Sequence, residues 1–563
     1  AKMILLHDTQ NDLMIDRRWL LEPLLVSDAE IEMLMDELPK WISERMEIPE
    51  QISSQEDKRM LFNMGTTVLI EKLLLEVARF DNEQLLKLLL NLHESIVRKR
   101  EFEKTIIPAQ LICFGNINTK IDEIMENERM QVRTSVALRN LIEFVSAQPS
   151  QGKQPVSLDD VDRLLALMHE IASFGMMSDA IFFNMDDPLV GILPSGRIGF
   201  TSDLFSDKIE PFSTARIKAD IDGKLEGFEG RFDVYQPSND EEATNKLDEL
   251  IGQHDMAFLN DWGITWSHLN AISYHAADFC IQSEASVITM SESDLIDRLV
   301  NVVKIPADQV RAGIEKFTLS PRSSYLKAPE GYSNNEVFPW KYNREFSLTR
   351  RFFVRTISAS GDIMMSWGFR SATAARHQMD HLLTGGRLTN GGIEIKKLIG
   401  SYTDKRGTDF RNAVRDWIAL QEGFEVVDYE VPITPGGPLN ADKNYGDVDV
   451  LALHRPSGTV LSMECKNTTQ AKNIHEMKTE MDRYLGRDGK KGMIDKHLKR
   501  HEWLCNNLSQ LNNLLKVDVA LTVQSVMISS QVIPTPYIRK EELPMPIVAF
   551  PDLKRDGSSL LFK

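Results

Sequence analysis

Between Gly446 and Asn467 the chain reads Gly446-Asp-Val-Asp-Val-Leu-Ala-Leu-His-Arg-Pro-Ser-Gly-Thr-Val-Leu-Ser-Met-Glu-Cys-Lys-Asn, with acids and a lysine spaced so that they can meet. Two apolar runs flank the turn Arg455-Pro-Ser-Gly, the pattern of a β-hairpin. A period of two places Asp447 and Asp449 on one face of the first strand, with Val448, Val450 and Ala452 on the other. On the second strand Glu464 and Lys466 share a face, while Leu461, Met463 and Cys465 alternate away. Pairing the strands then brings Asp449, Glu464 and Lys466 together. Two carboxylates offer oxygen ligands to a hard divalent ion such as Mg²⁺ and leave positions for water and phosphate. A lysine beside them can orient a water, lower its pKa or stabilise charge developing on the phosphate. That chemistry is phosphodiester hydrolysis. The plain alternative is a solvated hairpin with a Glu464–Lys466 salt bridge, which accounts poorly for acids set so close to an apolar strand pair.

The elements that would position these residues lie on either side. Gly407-Thr-Asp-Phe-Arg-Asn-Ala-Val-Arg-Asp-Trp-Ile-Ala-Leu-Gln-Glu-Gly-Phe-Glu-Val reads as a helix running into a first strand. A helical region and the apolar stretch Val517 to Ile528 follow the hairpin. Together, Asp449, Glu464-Cys-Lys466 and the Gly-Phe-x-Val strand resemble the PD-(D/E)XK superfamily of restriction-type nucleases over about 155 residues, Gly407 to Phe562. The resemblance implies an Mg²⁺-dependent nuclease, with Mn²⁺ as an alternative ion. It implies Asp449, Glu464 and Lys466 as catalytic residues, and Asp449 and Glu464 as metal ligands, with Asp447 and Asp409 as further candidates. Two positions depart from the family pattern. Val448 stands where a proline commonly precedes the first acid, and Arg411 stands where many members carry a helix glutamate. Asp409 and Asp416, seven residues apart on one helix face, are candidate replacements.

Basic residues follow the motif. Lys472, Lys478, Arg487, Lys490 and Lys491 are candidate nucleic-acid contacts, in a run that continues through Lys496, Lys499 and Arg500. Glu476, Glu480 and Asp495 interleave, so a solvated helical face weighs equally. Gly486-Arg-Asp-Gly-Lys-Lys-Gly is a flexible basic loop without Walker spacing. A second cluster, Trp340 to Arg355, interleaves aromatic and basic residues, as a half-buried strand does and as a stacking surface also would. We favour the strand. His475, His497 and His501 fall on helical stretches and are expected at the surface, and His454 adjoins the hairpin turn.

The whole chain sets the frame. Its 563 residues exceed one core, and 42% hydrophobic with 26% charged residues is ordinary globular composition. No apolar run reaches the roughly 20 residues of a membrane span, and Met3 to Leu6, followed by Asp8 and Asp12, is too short for a signal peptide. Cys113, Cys280, Cys465 and Cys505 show no ligand spacing. These features imply a cytoplasmic protein without a membrane partner. The net charge of −18 is uneven: residues 1–300 hold 28 Lys and Arg against 53 Asp and Glu, and residues 301–563 hold 37 against 30. A polyanion is therefore expected at the C-terminal half and a protein partner at the acidic half, and a homo-oligomer is a further expectation.

Apolar spacings of three and four from Ser27 to Met177, with a cap-like Ser157-Leu-Asp-Asp, predict helix after helix. Asp186 to Phe200 reads as a hairpin around Pro194-Ser-Gly, and acidic Asn239 to Glu249 as a surface loop or helix start. Ser291 to Ile314 reads as two short helices around a break, more simply a packed pair than a DNA-reading one. Phe346 to Ile357 and Ile363 to Trp367 read as strands. The expected architecture is multidomain α+β: a helical region (1–180), a mixed α/β region (181–300), a β-rich basic linker domain (301–398) and the nuclease-like α/β domain (399–563). Three functions compete. The first is a DNA endonuclease with a large regulatory or recognition region, and the family resemblance makes restriction or anti-phage defence its setting. The second is a catalytically inactive nuclease-fold scaffold that binds nucleic acid within a larger complex. The third is an RNA-directed or exonucleolytic enzyme.

Overall fold

A computed structural model of the chain describes residues 23–114, 117–230 and 241–562, apart from positions 342, 359 and 488. The opening residues Met3–Leu6, Asp8 and Asp12 lie outside the described residues, as do positions 239 and 240 and the side chain of Cys113. The fold is mixed α/β, mainly helical, with several small sheets. Contacts group the chain into two compact units: most of the three expected regions before residue 399 falls in the first, while residues 183–186 and 202–230 of the mixed region fall in the second. Elements are numbered along the chain.

The first unit comprises residues 23–182, 187–201 and 241–400. It opens with α1 (Asp28–Ser43), α2 (Gln55–Val77), α3 (Asn82–Phe114), α4 (Ile117–Ala147) and α5 (Leu158–Phe182). Ser27 and Ser54 cap α1 and α2 by accepting the amides of Glu30 and Asp57. Ser157 and Asp160 bond reciprocally at the start of α5, at 3.2 and 2.9 Å. Helices α2 and α5 approach closely at Gly65, where a Cβ would sit 2.5 Å from the Phe174 ring. Helix α5 is long and apolar enough to cross a membrane by length and composition, but 72% of its apolar window is buried. That burial marks a core helix.

Strands β1 (Gln51–Ile52), β2 (Leu189–Ile192) and β3 (Ile198–Thr201) form a small antiparallel sheet, with the expected hairpin as β2–β3. The acidic stretch continues as helix α7 (Glu241–Trp262). Helices α8 (Trp266–Gln282), α9 (Glu292–Val303), α10 (Ala307–Lys316) and α11 (Phe369–Thr384) accompany the sheet β4 (Val287–Ser291), β7 (Ile363–Gly368), β6 (Phe353–Ile357), β5 (Thr318–Leu319). Only Phe353–Ile357 of the expected strand from Phe346 extends. The reason is electrostatic. Arg344 pairs with Glu143, Arg350 and Arg351 with Glu345, and Arg355 with Glu292 and Glu315. Arg344, Arg350 and Arg351 are buried, and a buried guanidinium must be matched, so the segment folds around its carboxylates instead of running straight. Among the described residues between Trp340 and Phe352 no regular strand forms.

The second unit comprises residues 183–186, 202–230 and 401–562, and includes α6 (Glu210–Gly230) and the later turns of α12 (Ile393–Ala419). Its main sheet has the order β17 (Ile547–Ala549), β16 (Thr522–Ser529), β13 (Thr459–Lys466), β12 (Val450–His454), β8 (Phe424–Val426). Strand β12 runs antiparallel to both β8 and β13, whereas β13, β16 and β17 are parallel. On one face Phe410, Val414 and Ile418, four residues apart on α12, pack with Val450, Ala452, Leu461, Met463 and Cys465. On the other, Leu451, Leu453 and Val460 meet Trp503, Leu504 and Leu511 of α14 (Met493–Asn506) and α15 (Leu508–Leu515). A side sheet of β9 (Val431–Thr434), β10 (Leu439–Asn440) and β11 (Gly446–Val448) abuts this second core. Helix α13 (Ile474–Leu485), the two-residue strands β14 (Gly486–Arg487) and β15 (Lys490–Lys491), α16 (Thr535–Ile538) and α17 (Phe550–Asp556) complete the unit.

Candidate active site

The hairpin register decides which acids meet. Val450 pairs with Met463, so one step further along the antiparallel ladder Asp449 stands opposite Glu464. Asp449 itself lies at a break, where the chain leaves β11 in the side sheet and enters β12 in the main sheet. The break alters the expected alternation: Val448 buries with Leu451 and Leu453, not with Val450 and Ala452. The Cys465 amide donates to Asp449 Oδ2 at 2.7 Å and fixes that carboxylate against the second strand. Lys466 Nζ lies 2.5 Å from Glu464 Oε1 and 4.0 Å from Asp449 Oδ2. The three side chains thus share one small space, with Glu464 the most buried.

Two residues that sequence reasoning placed elsewhere complete the cluster. Arg500, on α14, bonds Glu464 Oε2 through Nη2 and the Asp447 carbonyl through Nη1, the latter at 2.7 Å. His497, one turn earlier on the same helix, is fully buried with Nδ1 3.7 Å from Glu464 Oε2. The histidine was expected at the surface, but its helix face is the one turned to the sheet, beside Ile494 and Leu504. The only signal in sequence was the spacing of three between His497 and Arg500, which nothing tied to a glutamate 36 residues away. His501 instead meets Ser525 Oγ at 3.0 Å, His454 meets Ser457 Oγ at 2.8 Å, and the His475 ring lies 5.5 Å from that of Phe183.

The electrostatics follow from these distances. Burial first, and then the charge of Glu464, raises the Asp449 carboxyl above its ordinary range; Lys466, the Cys465 amide and Arg500 oppose the shift. Burial drives His497 down to about 4, against the pull of Glu464, so the ring is neutral at physiological pH. Burial likewise pushes the Cys465 thiol well above its usual value, which makes it a packing residue and no nucleophile. Two carboxylates face two cations, Lys466 and Arg500, so the cluster is balanced as it stands.

The other candidates do not join it. Asp447 is exposed, and only its carbonyl reaches Arg500; Asp409 and Asp416 are exposed on α12. Arg411 pairs with Glu430 and bonds Asn412 at 3.2 Å, so no helix carboxylate stands at that position. Lys478 pairs with Asp482, which Arg487 also approaches at 3.7 Å. The backbone amide of Lys472 donates to Glu476, and Lys490 and Lys491 are exposed on the β14–β15 ribbon.

Among the described residues, no three His, Cys, Asp or Glu side chains gather as a ready-made cation cage. Two opposed carboxylates still suit a hard divalent ion by donor type, since Mg²⁺ commonly takes one or two carboxylates and completes its shell with water and phosphate.

Fold and site define a two-unit α/β protein with a carboxylate pair and a lysine at the ends of two interior strands of a mixed sheet. The family model for anti-phage protein Upx-like matches residues 24–549, and the chain belongs to that family. No curated protein and no solved structure matches it.

Proposed function

We propose that this Upx-like anti-phage protein is a metal-dependent nuclease that hydrolyses phosphodiester bonds in DNA, with its centre at Asp449, Glu464 and Lys466. The observation that carries the reading is the register that sets Asp449 opposite Glu464, with Lys466 Nζ reaching both. The order of a helix, an antiparallel run β8–β12–β13, a helical stretch and then β16 parallel to β13 supports it, being what the PD-(D/E)XK resemblance implies.

Asp449 and Glu464 would hold the ion, which when bound supplies a more acidic water and neutralises phosphate charge. Lys466 holds a proton at Nζ and can donate hydrogen bonds to an attacking water or a phosphate oxygen as negative charge builds. Arg500 fixes the rotamer of Glu464 and shares its charge. Neutral His497 fills the space behind Glu464 without adding another cation. Asp449 must be deprotonated to bind a cation, so its raised pKa sets an acid limit on activity.

A second reading has its own observation. Both Glu464 oxygens are already taken by cations, and Arg411 replaces the family's helix acid. That combination favours a nucleic-acid-binding subunit that does not cut. Incubating the full chain with supercoiled plasmid under Mg²⁺, Mn²⁺ or EDTA separates the two. Nicking or linearisation with metal and none with EDTA is expected; plasmid retained on the protein but uncut under every ion would favour the scaffold.

A further inference from the structure

A cavity of about 710 Å³ in the second unit adjoins the site through one shared residue, Arg500. Four cations line it: Lys443 on the loop entering β11, Lys496 and Lys499 on α14, and Arg500. Glu502 is the one carboxylate in the lining. Lys496 and Lys499 stand one turn apart on the outward face of the helix, while Arg500 points inward. Lys491 crowds Lys499, and its charge with that of Lys443 holds the Lys499 ammonium below its usual range despite Asp495. Like charges gathered this closely, with so little counter-charge, repel one another until an anion arrives.

One further feature favours an anion beside Arg500. Arg500 is buried and its two terminal nitrogens are occupied by Glu464 and Asp447, so it lends the cavity wall positive charge while its hydrogen bonds hold the site. Gly446, at φ +90°, also lines the cavity, and a Cβ there would come within 3.2 Å of Arg500 Nη1. The backbone therefore leaves room in front of the guanidinium.

We propose that this cavity seats a backbone phosphate of the bound nucleic-acid strand, held by Lys443, Lys496 and Lys499, with Arg500 adding its charge from the cavity wall. The proposal deepens the nuclease reading and rests on it for the identity of the strand. Arg500 becomes a positioning residue that couples substrate seating to the rotamer of Glu464. This face adds Lys443, Lys496 and Lys499 to the basic contacts expected at Lys472, Lys478, Arg487, Lys490 and Lys491, the last of which lies beside Lys499.

The test is anisotropy of a fluorescein-labelled 20-base-pair DNA duplex with the full chain in EDTA, over a range of salt. Lys496→Ala/Lys499→Ala should weaken binding about ten-fold or more near 0.1 M salt and flatten the salt slope by roughly two. Lys87→Ala/Lys153→Ala, which removes the same charge from exposed sites on the first unit, should leave both unchanged. Wild-type affinity and slope in the cavity variant would overturn the proposal. So would inorganic phosphate binding as tightly as duplex with the same lysine dependence, which would mark a free-phosphate site. Lysine-dependent binding without cleavage under any metal would sink the hydrolytic reading and leave this assignment standing.

Discussion

At Glu464 one carboxylate meets three partners from two elements: Lys466 on its own strand, and Arg500 and His497 on α14. Charges this buried are stable only while matched, so removing one partner costs far more than the pair contributes. Arg500→Ala should lower stability by about 3 kcal/mol in urea denaturation, with Lys466 limiting the loss. Glu464→Gln/Arg500→Met should recover part of that loss, because neither charge is then orphaned. His497 gives a pH signature with a definite sign. Its folded pKa, about 4, lies below the unfolded value near 6.5, so the unfolded chain takes up the proton first as pH falls. Its contribution is complete above pH 6.5 and fades towards pH 4, on the order of 3 kcal/mol in all. Wild type and His497→Gln should therefore converge in stability across that window in pH-dependent denaturation, and parallel curves would rule the mechanism out.

At the scale of elements, the site depends on where β11 hands over to β12. Gly446 enters that handover at φ +90°, a conformation costly for any other residue. Gly446→Ala should destabilise by about 1–2 kcal/mol and, by crowding Arg500, loosen nucleic-acid binding more than a strain-only change would; denaturation and anisotropy measured together separate the two effects. The hairpin and its facing acids are legible in sequence because strand alternation and a Pro-Ser-Gly turn leave few registers. Helix α12 is legible from the spacing of Phe410, Val414 and Ile418. The break at Asp449 is not, since a change of sheet leaves no mark in an unbroken Asp-Val-Asp-Val-Leu-Ala run. Arg500 and His497 are hidden for a related reason. They reach Glu464 through the packing of α14 on the sheet, a tertiary choice that local periodicity does not encode. The stretch from Trp340 misleads in the opposite sense, because its arginines serve buried carboxylates.

For the whole molecule, charge and family membership bear on the same question. The acidic excess falls before residue 300, but the basic excess after it lies in residues 301–400 of the first unit, with 15 Lys and Arg against 8 Asp and Glu, whereas residues 401–563 hold 22 of each, so only the local cluster of cations marks a nucleic-acid site in the second unit. Membership of an anti-phage family gives the chemistry a setting. If hydrolysis is the effector step, cells carrying Asp449→Ala or Lys466→Ala should lose phage protection at unchanged protein levels, as read by efficiency of plating. Protection equal to wild type would assign defence to another part of the chain. The most direct measurement is the single-turnover cleavage rate of an end-labelled DNA duplex by the full chain in Mg²⁺, compared with Asp449→Ala and Lys466→Ala. A drop of about 10²-fold or more in both variants, with duplex affinity retained, is the result predicted here. Equal rates in wild type and variants, or no metal-dependent cleavage by wild type, would contradict it.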